Sequence, residues 1–245
     1  MDAKDKIKRA LAQEKMWFSD AYATKGIRQS AIGNRQSDPT VNRPLPTAKK
    51  AKQLAALYEQ YKGCLACPLG KSRIKFVFGV GNPDSPLMFI GEGPGYDEDR
   101  KGEPFVGRAG QLLTKIIESM KLTREQVYIA NLVKCHPMIN PKTPEVRGND
   151  RPPAPEEMET CKPILLEQIR IIRPKVICLL GSTSSKAMLQ TQTPISKLRG
   201  VWNKLPDFPE IDAMPTYHPA ALLRNPVLKK DVWVDMKRIM ARLAE

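Results

Sequence analysis

Five apolar runs, at residues 76–80, 87–90, 127–133, 176–180 and 213–217, alternate with helix-patterned segments at 110–120, 155–172, 182–189 and 229–243. Short runs rich in Val, Ile, Leu and Phe suit strands buried on both faces, and helices returning between them make the strands parallel. The rhythm predicts an α/β fold, a three-layer sandwich with a central, mostly parallel sheet covered by helices on both sides. In such sheets ligands bind beyond the carboxyl ends of the strands, so the residues after each run are where chemistry is expected. A further helix is predicted ahead of the first run, where AKKAKQLAALYEQYKG spaces Leu54, Leu57 and Tyr61 along one face and stops at Gly63.

Before that helix the chain changes character. Residues 1–24 fit an amphipathic helix through Ile7, Leu11 and Phe18, whereas residues 26–46 are polar, proline-containing and aperiodic, as in a linker. The expected division is a basic N-terminal extension and linker, residues 1–46, followed by a main domain, residues 47–245. The first 62 residues hold 13 Lys and Arg against 6 Asp and Glu, half of the net charge of +14 in a chain of 245 residues. Such an excess suits a polyanionic partner such as nucleic acid, against the blander alternative of a basic enzyme with no polyanion. No run approaches the ~20 apolar residues of a membrane span, so an integral membrane protein is excluded. The opening MDAKDKIKRALAQEKM lacks the apolar core of a secretory signal, and a cytoplasmic location is expected.

Of five cysteines, Cys178 lies inside the apolar run VICLL, where a small buried thiol is the ordinary occupant. The others are set out differently. Cys64 and Cys67 form a CxxC in a loop after a helix, Cys135 follows a strand, and Cys161 falls early in a helix. Four sulfurs suffice for one metal site, and disulfides are disfavoured in the cytosol. Unpaired structural thiols or a redox CxxC are the alternatives, and the residues alone do not separate zinc from a [4Fe-4S] cluster, since both take four thiolates.

After the run at 87–90 comes Gly91-Glu92-Gly93-Pro94-Gly95, whose glycines let backbone approach a ligand and expose amide donors. It is not a dinucleotide fingerprint. The last glycine of GxGxxG would fall at Tyr96, and Pro94 removes a donor. Phe105 lies between two flexible points in the segment 102–111, as either a core residue or part of a site. Asn131 is an amide in an apolar stretch, which costs free energy unless it is hydrogen-bonded. In Thr216-Tyr217-His218-Pro219-Ala220-Ala221-Leu222-Leu223-Arg224, one of only two histidines stands at a strand end.

Taken together, GEGPG, EPFVGRAGQLL, YIANLVKCHP and TYHPAALLRNP make residues 61–243 resemble the family 4, iron-sulfur uracil-DNA glycosylases. The resemblance implies the fold of that superfamily, uracil-containing DNA as partner, and hydrolysis of the N-glycosidic bond of an extruded uracil. By motif, Glu92 and Gly93 take uracil-pocket positions, Phe105 stacks on the base, Asn131 reads its edge and His218 contacts it near O2. Glu98 is implied as a steric barrier to the thymine methyl, and Glu92 as the residue orienting water. Cys64, Cys67, Cys135 and Cys161 match the ligands of a [4Fe-4S] cluster, with a structural role. An apolar wedge is expected from Leu222, with Leu223 and Arg224 beside it.

Two features depart from the family: the 25 residues between Cys135 and Cys161 exceed its usual spacing, and the N-terminal region has no counterpart in its short members. A related branch attaches covalently to DNA through the histidine of an Arg-Arg-Ile-His tetrad, which is absent here, so turnover is expected. A monomer is expected. The alternative function is a non-catalytic nucleic-acid-binding protein of the same fold with a structural metal site.

Overall fold

The computed structural model describes residues 46–245, so the helix expected at 1–24 and the linker at 26–46, apart from its last residue, lie outside the described residues. The elements are α1 (Pro46–Tyr61), α2 (Leu69–Ser72), β1 (Val80–Gly81), β2 (Leu87–Gly91), α3 (Tyr96–Lys101), α4 (Arg108–Ser119), β3 (Tyr128–Asn131) and α5 (Pro155–Ile172). They continue with β4 (Val176–Leu180), α6 (Ser182–Leu189), α7 (Ile195–Leu198), β5 (Asn203–Leu205), β6 (Phe208–Thr216), α8 (Pro219–Arg224), a 3-10 turn (Pro226–Leu228) and α9 (Lys229–Ala244).

One six-stranded sheet runs in the order β1-β3-β2-β4-β6-β5. Its four inner strands are parallel and the short outer ones, β1 and β5, run antiparallel. Every residue of β2, β3 and β4 is buried, as strands covered on both faces must be. Alternation then divides the side chains between two layers. Met88 and Ile90, Tyr128 and Ala130, Ile177 and Leu179, and Ala213 share one core with Leu54 and Leu57 of α1 and Ile164, Leu165, Ile169 and Ile172 of α5. On the other side α9 packs on β4 and β6 through a helical stripe that includes Val232, Met236 and Ile239, and α4 lies against α8. The expected layered sheet is therefore present.

Three strand boundaries need correction. In the run at 76–80 only Val80 joins the sheet. Phe76, Val77 and Phe78 are buried but outside the sheet, tied instead by a hydrogen bond from the Val77 amide to the Lys134 carbonyl, 2.9 Å, and by one from Gln168 Nε2 to the Phe78 carbonyl, 3.0 Å. The run at 127–133 pairs only over Tyr128–Asn131. The last begins earlier than the apolar pattern suggests, at Phe208, because a hairpin through Pro206 and Asp207 adds β5 as an edge whose residues need not be apolar.

Candidate active site

At the carboxyl ends of β2, β3, β4 and β6 lies a cavity of about 650 Å³. Its walls include Glu92, Gly93, Glu98, Phe105, Asn131 and His218, the six pocket residues the sequence singled out, together with Arg224. A more open groove of about 850 Å³ runs past Tyr58, Phe76 and Phe78, but at the β1 edge and away from the strand termini.

Asn131 closes β3 opposite Gly91, the last residue of β2. A Cβ at position 91 would stand 2.4 Å from Asn131 Oδ1 and 2.4 Å from Phe105 Cζ, so a bare backbone there is what lets amide and ring meet. Asn131 is buried, and its Oδ1 has no donor among the described residues. Its main chain, by contrast, is firmly held. Lys134 Nζ, wholly buried, donates to the Asn131 carbonyl at 2.8 Å and to Gln168 Oε1 at 2.6 Å, and Gln168 Nε2 in turn donates to the Phe78 carbonyl at 3.0 Å. Burial lowers the Lys134 pKa to about 7, against the opposing effect of Cys161 and Cys135. Sequence reading missed Lys134 and Gln168, since a lysine and a helical glutamine ordinarily face water.

Phe105 is buried with φ of 55°, a left-handed backbone that a bulky residue rarely adopts. Neighbours grip it from both sides. Arg124 donates to the carbonyls of Pro104 (2.9 Å) and Phe105 (3.1 Å), while Glu98 Oε1 accepts from the amides of Val106 (2.8 Å) and Gly107 (2.9 Å). The other Glu98 oxygen accepts from Gly95 N–H at 3.2 Å, capping α3. Expected as a methyl barrier, Glu98 therefore lines the cavity with both carboxylate oxygens engaged by backbone.

His218 is the N-cap of α8, its ring 5.6 Å from that of Phe105. Nδ1 accepts the Ala220 amide at 3.2 Å, which places the proton of the neutral ring on Nε2. Burial, with Arg224 adding to it, lowers the pKa to about 4, so the ring is a neutral donor at physiological pH. Gly181, at φ of 95°, passes beneath, where a Cβ would lie 3.0 Å from that of His218.

The wedge expectation is corrected in part. Leu222 is fully buried and belongs to the packing under α8, so it cannot reach DNA while that packing stands; Leu223 is 41% exposed, and Arg224 is exposed at the cavity wall.

The cysteine corner adjoins this site. Cys64 and Cys67 are partly exposed, Cys135 and Cys161 are buried, and all are free, as is the wholly buried Cys178. The first four are near enough for their charges to interact, Cys135 with Cys161 and Cys67, and Cys161 with Cys67 and Cys64. Arg73 binds the Cys64 carbonyl at 2.5 Å and lies 3.5 Å from Cys135 Sγ; the Lys134 amide points at Cys161 Sγ, 3.3 Å away. Burial raises both inner thiols, Cys135 to about 12. Among the described residues no three Cys, His, Asp or Glu side chains converge as one metal ion requires.

The long stretch between Cys135 and Cys161 folds into a flap whose base walls the cavity. Met138 bridges to Asp150, the Asn149 side chain ties the turn to Asn140 and Thr143, and the buried ring of His136 meets Asp150 at 2.6 Å. Burial opposes charge on His136, but Asp150 and Asp99 outweigh it and raise the pKa to about 9.

A mostly parallel sheet with a buried amide, a neutral imidazole and a phenyl ring lining one cavity at its strand termini defines an α/β protein with a candidate ligand site at the carboxyl edge of the sheet. The profile of the uracil DNA glycosylase superfamily matches residues 78–237. The type-4 uracil-DNA glycosylase of Thermotoga maritima is 44% identical over 168 residues, 68% of this chain and 81% of the relative. Those of Archaeoglobus fulgidus (38% over 198 residues; 77% of this chain, 92% of the relative) and Saccharolobus solfataricus (40% over 199; 78% and 87%) align over still more of it. The chain belongs to the type-4 uracil-DNA glycosylase family.

Proposed function

We propose that the chain excises uracil from DNA by hydrolysing its N-glycosidic bond, the opening step of base-excision repair. The observation that carries this reading is the buried Asn131 Oδ1, which finds no donor among the described residues. Leaving such an acceptor unmatched costs roughly 1–3 kcal/mol, and uracil N3–H supplies the donor. Cytosine presents an acceptor there and leaves both groups unsatisfied, the kind of mismatch that discriminates strongly.

Because the bond is inaccessible in a duplex, the nucleotide is extruded first, at a cost of a few kcal/mol that is lower for a mispaired base. Basic residues hold the phosphates, and Leu223, with Arg224, fills the vacated stack. The base stacks on Phe105. As the bond breaks, negative charge grows on the leaving uracil, and the His218 Nε2–H with amides of the glycine loop at Glu92 and Gly93 stabilises it at O2. A neutral imidazole can do this without giving up its proton. Glu92 orients the attacking water. Glu98 restricts the space near C5 through the loop it holds in place.

Cys64, Cys67, Cys135 and Cys161 are the ligands of a [4Fe-4S] cluster. Four soft thiols close enough for their charges to interact, with the Arg73 guanidinium 3.5 Å from Cys135 Sγ, suit an anionic thiolate-bound centre, and the resemblance to the iron-sulfur glycosylases favours the cluster over zinc. When bound, the cluster cross-links the CxxC loop to the strand and helix bearing the other two ligands. The chain is expected to act as a monomer in the cytoplasm, whose reducing conditions would keep the four thiols available as ligands.

The test is incubation with a labelled oligonucleotide carrying a single uracil, followed by alkali. Strand breakage at that position, lost in Asn131→Ala, is expected. Tight binding without breakage would favour the non-catalytic reading.

A further inference from the structure

We infer that Arg124 is a positioning residue for base excision, acting by holding Phe105 in the backbone conformation that presents its ring to the cavity; this rests on the reading of Phe105 as the ring that stacks on the extruded base. At φ of 55° a phenylalanine sits where its Cβ crowds the neighbouring carbonyl, so the conformation persists only if the surroundings over-determine it. The two sides of the grip are unequal. Glu98 holds the amides that follow the ring, at Val106 and Gly107, and it also caps α3. Among the described residues Arg124 alone binds the two carbonyls at and before the ring, Phe105 at 3.1 Å and Pro104 at 2.9 Å.

Two parallel N–H groups on a rigid plane can take successive carbonyls together, which a lysine ammonium cannot do with the same fixed geometry. Arg124 is itself held by Thr114 of α4, 3.3 Å away. On that flank there is no slack: a Cβ at Gly110 would stand 1.9 Å from the Phe105 carbonyl carbon. Arg124 also lies in the loop leading into β3, the strand that ends at Asn131, so one segment supplies both the brace for the ring and the amide that reads the base.

The test is a double-substitution cycle read by single-turnover excision on a uracil oligonucleotide, with melting temperature and binding to uracil-free DNA as controls. Arg124→Met is expected to slow excision by about tenfold or more while binding of uracil-free DNA is unchanged. Arg124→Lys keeps charge and stem, is expected to fold normally, and shows a similar loss. In a Phe105→Gly background, where ring and strain are both gone, Arg124→Met changes the rate by less than about twofold. A full additional loss in that background, or an undiminished rate in either Arg124→Met or Arg124→Lys, overturns the inference. An undiminished rate in Phe105→Gly alone overturns the stacking role, and with it this inference, whatever the Arg124 variants do.

Discussion

The cavity and the cysteine corner meet past the carboxyl end of β3, where Asn131 belongs to one and Cys135 to the other, and they are built on different electrostatic plans. In the cavity the two side chains that meet the base edge are neutral: an amide whose oxygen is unpaired among the described residues and an imidazole whose pKa is lowered to about 4. Around the cysteines stand the Arg73 guanidinium and the buried Lys134, whose charge burial opposes and the cysteines favour, set against thiols that burial alone would keep protonated. A neutral donor suits a leaving group whose charge appears only as the bond breaks. A standing positive environment suits a permanent anion. Lys134 belongs to both plans, since its amide faces Cys161 and its Nζ holds the Asn131 carbonyl.

The contrast breaks most visibly if the cavity is altered first. Asn131→Ala or His218→Ala is expected to reduce excision on the order of 10²–10³-fold with the melting curve and visible absorbance little changed. Unchanged turnover in either variant would remove that residue from the chemistry. A smaller loss, about tenfold or more, is expected of Gly91→Ala, because the added methyl meets Asn131 Oδ1 and the Phe105 ring and the two must part. Normal kinetics in that variant would mean that amide and ring do not act together.

Cys64→Ser tests the other plan. Its loss is expected in the iron content, the visible absorbance and thermal stability, with excision by the surviving folded fraction falling only a few-fold. Zinc in place of iron in protein purified without oxygen would refute the cluster. Abolished chemistry in a Cys64→Ser protein that still melts normally would mean that the corner does more than hold the fold.

The two plans were not equally legible in the sequence. Asn131, His218 and the CxxC announce themselves because an amide in an apolar run, a rare histidine at a strand end and paired thiols have few other uses. The residues that hold them do not. Arg124 and Lys134 look like solvent-facing cations among 40 Lys and Arg, and only the fold reveals that one grips two carbonyls and the other is sealed in the core. Leu222 shows the converse. It sits beside Leu223 with the same chemistry, but helix α8 turns one inward and the other outward, a difference of phase that a six-residue pattern does not fix. The flap was unreadable for another reason: a long spacing between two cysteines gives the length of a loop, whereas its shape depends on His136 meeting Asp150 and on the Asn149 turn.

The gentlest probe of the neutral cavity is pH. His218 in the folded chain takes up a second proton only below about 4, whereas in the unfolded chain it titrates near its ordinary value of about 6.5. Between those values the unfolded state binds more protons, so stability contributed by the neutral ring is full above about 6.5 and is lost as the pH falls toward 4. The wild type is therefore expected to lose more melting temperature between pH 7.5 and pH 4.5, taken as roughly bracketing that window, than does His218→Gln, and equal losses would show that the folded ring is not held neutral. On the alkaline side the two plans separate cleanly. An imidazolium donor would titrate away as the pH rises, whereas a ring already neutral has no such proton to lose, so excision should show no alkaline decline attributable to His218.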